Sequence, residues 1–409
     1  MVIKQSRLTK KCGFCGKGFR QVGPLIEGAA TGVKVYACGI CHNTMTHIFA
    51  HKRKEKTADS DGETRCFGPA DPPPTALRLK AVLDRHVIGQ EEAKAALALA
   101  VATHVRQARR PVGEKIAFRQ NVLISGPTGS GKTEMVRVLA KAVDLPFIIG
   151  DATSLTEAGY VGDDVESLVA RLIQAGDGDI NRAERGIIYI DEVDKIGRKG
   201  QSASITRDVS GEGVQQALLK LIEGAVITAP IRGGRKHPEA PVHQIDTSGI
   251  LFLAGGSFDG IEQIARRRTV GQTMGFGRCG GSVEGDIEPA VEDFCRFGLI
   301  PEFIGRFPVI RRTRPLTAED LARILLEPTN SLLARYRQLL ELDSIGLEIT
   351  PDGAREIASE ALRLGTGARG LDQVLERLLF PFRFDPDPFA GRTVVVDRDL
   401  IAKALGKTG

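Results

Sequence analysis

Unbroken apolar runs within Asn121–Ser125, Gly186–Ile190 and Ile250–Ala254 have the pattern of short strands buried on both faces of a parallel sheet. Glu134 to Val143, following the first run, instead carries apolar side chains at helical spacing. From Leu316 onward the helical period dominates, predicting helices over Asp320–Glu327, Ser331–Leu340, Pro351–Leu364 and Gly370–Phe380. A β-prone run, Thr393-Val394-Val395-Val396, predicts an edge strand near the end. The expectation is an α/β domain over residues 76–314 and a small, mainly helical domain over 315–409.

Between the first strand and its helix lies Gly126-Pro127-Thr128-Gly129-Ser130-Gly131-Lys132-Thr133. It fits the phosphate-cradling G-x-x-x-x-G-K-[ST] pattern in the strand, loop and helix setting that the pattern requires. The glycines let backbone N–H groups turn onto phosphates, and the helix that opens at this loop adds the field of its N-terminus. Lys132 is expected on the β- and γ-phosphates and Thr133 on Mg²⁺, with Glu134 following in the first helical turn. The run ending at Ile190 delivers Asp191 and Glu192 to the carboxyl end of a strand, where a parallel sheet holds its ligands. Asp191 is expected to complete the Mg²⁺ shell and Glu192 to orient the attacking water.

At 409 residues the chain is long enough for two or three domains. No apolar run approaches the ~20 residues of a membrane span. The polar start Met1-Val2-Ile3-Lys4-Gln5-Ser6-Arg7 leads to no signal core, so the expected location is cytoplasmic. The net charge of +5 is small for this length and argues no nucleic-acid partner. The absence of Trp and the presence of only four Tyr weigh against a nucleic-acid motor that stacks bases.

Four of the seven cysteines form two C-x-x-C pairs, Cys12/Cys15 and Cys38/Cys41, which suit one tetrahedral zinc ion in a domain over residues 1–51. The 22 residues between the pairs slightly exceed the usual ribbon spacing. Cys38-Gly39-Ile40-Cys41-His42 also fits the rule for covalent haem, but that chemistry needs an exported chain and leaves the other pair without a purpose. Residues 52–75 turn charged and then rich in Asp, Gly and Pro, the composition of a flexible linker. Cys66, Cys279 and Cys295 read as structural or incidental.

With these motifs in place, the chain resembles the ClpX family, AAA+ ATP-dependent protein unfoldases of the Clp protease system, over essentially its whole length. The resemblance rests on the zinc module, Val87-Ile88-Gly89-Gln90, the phosphate loop, Gly159-Tyr160-Val161-Gly162, Tyr189 to Lys195, and Ser204 to Gly213. It continues through Gly234-Arg235-Lys236-His237-Pro238, Gly298 to Arg306, and Thr366-Gly367-Ala368-Arg369-Gly370. It implies a homohexamer in which Arg306 reaches the nucleotide of the next subunit and Arg369 reports nucleotide state to the small domain. It places Val87 and Ile88 on the adenine. It makes Tyr160 and Val161 a pore grip, Arg207 part of a second pore loop, and Arg235, Lys236 and His237 the pore entrance. Tagged or unfolded proteins and their adaptors become the partners, and the zinc module is expected to dimerise.

Met274-Gly275-Phe276 is the nearest match to the loop by which this family docks the ClpP peptidase, with Met in place of the usual branched aliphatic residue. The triple Arg266-Arg267-Arg268 ahead of it reads as solvent-exposed, and Gly255-Gly256-Ser257 offers no clear polar sensor. The chain shows no H-E-x-x-H helix and no serine elbow outside the phosphate loop, so proteolysis is expected from a partner.

Overall fold

The computed structural model describes residues 12, 25–30, 33–38, 67, 71–110, 118–156, 163–197, 211–230, 242–272, 287–328 and 331–404. The chain divides into two compact units, Met1–Arg65 and Cys66–Gly409. In the first, β1 (Leu25–Ala30) and β2 (Val33–Cys38) form an antiparallel hairpin between the two C-x-x-C pairs. Cys12 and Cys38 are buried, and the Cys38 amide donates to Cys12 Sγ over 3.4 Å.

The second unit is built on a sheet whose strands are β3 (Val122–Ser125), β4 (Phe147–Asp151), β7 (Ile187–Asp191), β10 (Leu251–Gly256) and β11 (Val309–Arg312). Two short pairs flank it: β5 (Leu155–Thr156) with β6 (Asp163–Asp164), and β8 (Val226–Pro230) with β9 (Val242–Asp246). The order across the five-stranded sheet is β11-β3-β10-β7-β4, parallel at every pairing. Because successive side chains alternate between faces, the apolar runs divide cleanly. Val122, Ile124, Ile187, Tyr189, Leu251 and Leu253 pack with the helices Ala76–His86, Glu91–Ala108 and Lys132–Ala142. Leu123, Ile188, Ile190, Phe252 and Ala254 pack on the opposite face with Glu166–Ala175, Glu212–Glu223 and Val291–Phe297. Each large apolar side chain buried this way contributes about 1.5–3 kcal/mol.

After β11 the chain enters a third core, in which Leu321, Leu325, Leu340, Ile357, Leu371, Leu375 and Leu378 are buried. Its helices are Ala318–Leu326, Leu332–Glu341, Pro351–Arg363 and Arg369–Phe384. The last runs past Pro381, beyond the predicted end at Phe380. The run Thr393–Val396 forms β13, which pairs in parallel with β12 (Gly346–Ile349) in a two-stranded sheet separate from the main one. Thr317 and Asp320 cap the first of these helices reciprocally, and Asp320 also takes a two-point contact from Arg314 at 2.7 and 3.0 Å. Burial pushes the Asp320 pKa upward, but Arg314 and Thr317 outweigh it and bring it down to about 2.

Arg266 and Arg267 are exposed as expected, whereas Arg268 is not a free surface charge. It grips the fully buried Asp293 through Nε at 3.0 and 3.1 Å and Nη2 at 3.0 Å, because an unpaired carboxylate there would be costly. Among the described residues no helix is long and apolar enough to cross a membrane.

His104 is buried in the helix Glu91–Ala108, with Nε2 facing the carbonyls of Arg185 and Gly186 at 2.9 and 3.1 Å. Burial lowers its pKa from 6.5 to about 4, with the Arg119 charge adding to the shift against the two carbonyls. The unfolded chain therefore binds this proton more readily, so the linked stability is present above pH 6.5 and lost as pH falls towards 4. His104→Gln should flatten that acid limb, by roughly 3 kcal/mol at most, in denaturant titrations compared with wild type between pH 7 and 4.

Candidate nucleotide site

The loop after β3 takes its shape from glycines pressed against other backbone. Gly126 lies at φ +143°, and a Cβ there would collide with the hydroxyl and carbonyl of Thr313 just past β11. Gly129 lies at φ +77°, where a Cβ would enter the carbonyl of Thr366 in the helical region. Ser130 Oγ meets Thr313 Oγ1 at 2.7 Å, so this hydroxyl braces the loop from below. The loop then opens the helix Lys132–Ala142, whose first N–H groups present a partial positive charge.

Lys132 is buried, with Nζ donating to the carbonyls of Gly126 at 2.5 Å and Pro127 at 3.0 Å. Burial pulls its pKa below the usual lysine value, opposed chiefly by the charge of Asp191. Thr133 Oγ1 donates to Asp191 Oδ2 at 2.6 Å, joining the loop helix to the end of β7. Glu192 follows in the left-handed region at φ +57°, with its amide on Asp191 Oδ1 at 3.0 Å. That backbone turn leaves the Glu192 carboxylate exposed beside the loop instead of continuing the strand.

These groups share a cavity of about 570 Å³. Thr128, Gly129, Gly131, Lys132, Thr133 and Glu134 line one side and Asp191 and Glu192 another. Ala368, Arg369, Asp372 and Gln373 close it from the start of the helix Arg369–Phe384, with Leu332 and Arg335 from the helix Leu332–Glu341. The Ala368 amide bonds the Gly129 carbonyl at 3.2 Å, so the helical region is tied directly to the loop backbone. The arrangement fits a nucleoside triphosphate with Mg²⁺: backbone donors, a buried cation, a hydroxyl on a carboxylate and an open acid converge on one cavity.

Residues 119–310 match the family model of the AAA domain of the Cdc48 subfamily. Over that stretch, a little under half of its length, the chain is similar to AAA domains. The domain indicates an AAA+ ATPase that uses ATP and Mg²⁺, and its parallel sheet with helices on both faces is that of an α/β P-loop ATPase.

Other predicted residues lie outside the cavity wall. Gly126 and Pro127 face a neighbouring cavity of about 210 Å³. Val87 and Ile88 are buried, and Val87 Cγ1 lies 3.4 Å from where a Cβ on Gly131 would be. Arg306 is exposed and pairs with Glu223. Cys15, Cys41, Tyr160, Val161, Arg207, Arg235, Lys236, His237, Met274, Gly275 and Phe276 lie outside the described residues. Among the described residues, which include only Cys12 and Cys38 of the four expected thiolates, no group of three or more metal-ligating side chains converges.

The cavity wall also holds a polar side chain that the sequence pattern left without a role. Ser257, just beyond β10, is a polar residue of the cavity wall, and its amide and hydroxyl donate to Asp194 at 3.0 and 2.9 Å. Lys195 pairs with the same carboxylate at 2.9 Å. Burial would raise the Asp194 pKa, but these donors outweigh it and hold the carboxylate ionised below its usual range. The signal for Ser257 was its position, the first side chain able to hydrogen-bond after an apolar strand. Ser257→Ala should cost about 2 kcal/mol, since it removes a charge-assisted bond from a buried carboxylate, and urea unfolding would measure it.

Proposed function

We propose that this chain is an ATP-dependent protein unfoldase and translocase of the ClpX kind, the specificity component and chaperone of a Clp protease. The observation that carries the reading is the single cavity formed by the phosphate loop, the acids of β7 and Arg369 of the helical region. A site whose wall includes two lobes of one unit can convert the state of its nucleotide into their relative orientation.

Bound ATP with Mg²⁺ supplies the phosphoanhydride whose cleavage drives the cycle. Lys132 would neutralise phosphate charge, Thr133 and Asp191 would hold the cation, and Glu192 would accept the proton of the attacking water. Arg306 would serve the nucleotide of an adjoining subunit, in keeping with the oligomeric assembly general to AAA domains, here a homohexamer. Val87 and Ile88 would pack on the adenine beside Gly131.

Tyr160 and Val161 would grip an extended polypeptide in the central pore. Arg207 would line the pore further along, and Arg235, Lys236 and His237 would receive acidic termini at its mouth. Pulling is useful because spontaneous unfolding of a stable domain can be as slow as ~10⁻⁶ per second. Met274-Gly275-Phe276 would dock the ClpP peptidase, which supplies the hydrolysis of peptide bonds. The zinc module, held by Cys12, Cys15, Cys38 and Cys41, would dimerise and recruit substrates and adaptors in the cytoplasm. The amide of Cys38 aimed at Cys12 Sγ in a buried setting suits thiolates gathered on one ion.

Glu192→Gln should keep ATP binding and lower turnover at least 100-fold, read as phosphate release, since a general base is worth 10²–10⁴. The unfoldase reading is tested by ATP-driven loss of native fluorescence from a stable protein bearing an unstructured tail, without peptidase. Wild type should unfold it and Tyr160→Ala should not, with ATPase retained in both. Brisk hydrolysis with unfolding equally fast in both proteins would reject Tyr160 as the grip, and no unfolding by either would reject unaided unfolding.

A further inference from the structure

Tyr189 and Asp191 are two residues apart on β7 and so lie on the same face of the sheet. Tyr189 is fully buried, yet its phenol reaches the carboxyl edge, where its hydroxyl donates to Asp191 Oδ1 at 3.1 Å. It does so across the neighbouring strand. In the register of β10 against β7, Leu253 stands opposite Tyr189 and Ala254 opposite Ile190, which puts Gly255 on the diagonal that the ring follows. A Cβ at Gly255 would collide with the Tyr189 hydroxyl and crowd its ring, so the glycine is what opens the slot.

The donors on Asp191 are divided between its two oxygens. Oδ1 takes the Tyr189 hydroxyl and the Glu192 amide, and Oδ2 takes Thr133 at 2.6 Å. The terminal torsion of an aspartate is soft, so without fixed donors its carboxylate would sample a broad range of orientations. Two donors on the inner oxygen hold the outer one towards Thr133, the side on which a Mg²⁺ ion would be shared.

Resting on the assignment of Asp191 to the Mg²⁺ site, we infer that Tyr189 is a positioning residue that aims the Asp191 carboxylate at the metal, with Gly255 supplying the space for its hydroxyl. A buried core tyrosine that merely found a convenient acceptor would affect stability and leave the response to metal unchanged.

The test is a Mg²⁺ titration of the full chain with a fluorescently labelled ADP bound. Tyr189→Phe should bind the labelled ADP in EDTA as wild type does, while its Mg²⁺ midpoint rises about tenfold, the lower end of what loss of such a partner costs. In an Asp191→Asn background most of that shift should disappear, because the hydroxyl, which also meets Thr133, acts on the metal chiefly through that carboxylate. Gly255→Ala keeps the phenol but displaces its hydroxyl, and should shift the midpoint in the same direction; it carries the test if Tyr189→Phe does not fold. An unchanged midpoint in the folded variants, or a Tyr189→Phe shift that persists in full beside Asp191→Asn, overturns the inference. A wild-type chain that binds the labelled ADP with no response to Mg²⁺ removes the metal-site assignment itself, and the inference with it.

Discussion

The phosphate loop is pressed against other backbone on two sides, and much of the unit is arranged by that fact. Its backbone touches Thr313 on one side and the turn Thr366–Ala368 on the other, and neither contact leaves room for a methyl group. Thr313 belongs to the passage from the sheet to the helical region, and its amide bonds the Ser125 carbonyl at 2.8 Å. The next residue, Arg314, exchanges two backbone bonds of 2.9 Å with the side chain of Gln90 and is anchored on Asp320. The loop that cradles phosphates is thus also the surface on which the helical region rests. Packed interiors do not deform smoothly, so a small change in the loop has to be met by movement of what leans on it.

The strand order gives the acids their reach. β10 separates β3 from β7, and Asp191 still meets Thr133 because the helix after the loop starts over that gap. Ser257 follows β10 on the same edge, where it ties down Asp194 just beyond Asp191 and Glu192. Three neighbouring strands therefore each end in one polar duty at the cavity, while their apolar residues alternate into two cores.

Much of this was legible where chemistry or period fixes residue types. The loop and the acid pair show because phosphate and Mg²⁺ admit few alternatives, and the helices after Leu316 show because one face of each is apolar. The helix Glu91–Ala108 left no such trace. It is buried widely around its circumference, with Ala93, Leu97, Ala98, Ala100, Val101 and Ala102 all inside, so its apolar residues form no stripe. Arg268 looked like one of three surface charges because Asp293, its partner, lies 25 positions away. The slot at Gly255 depends on the register of two strands far apart in sequence, which periodicity within either strand does not specify. Pro381 sits inside a helix that the pattern ended one residue earlier, since burial of Leu378 and Leu379 before it holds the last turns in place.

Arg306 lies outside the cavity of its own chain, and its setting bears on the role proposed for it. Its carbonyl takes a 3.0 Å bond from the buried side chain of Asn121, whose oxygen accepts from Phe252 of β10, so its backbone is fixed to the sheet. Its guanidinium remains half exposed and rests on Glu223, itself exposed. An ion pair in that setting is worth only about 0–1 kcal/mol, because water screens both partners. Glu223 therefore orients the arginine at little cost to its release, and a phosphate carrying more charge would displace the carboxylate readily. A rigid base with a weakly held tip suits a group meant to act on a nucleotide brought to it by another copy of the chain, which is the arrangement the proposed ring requires.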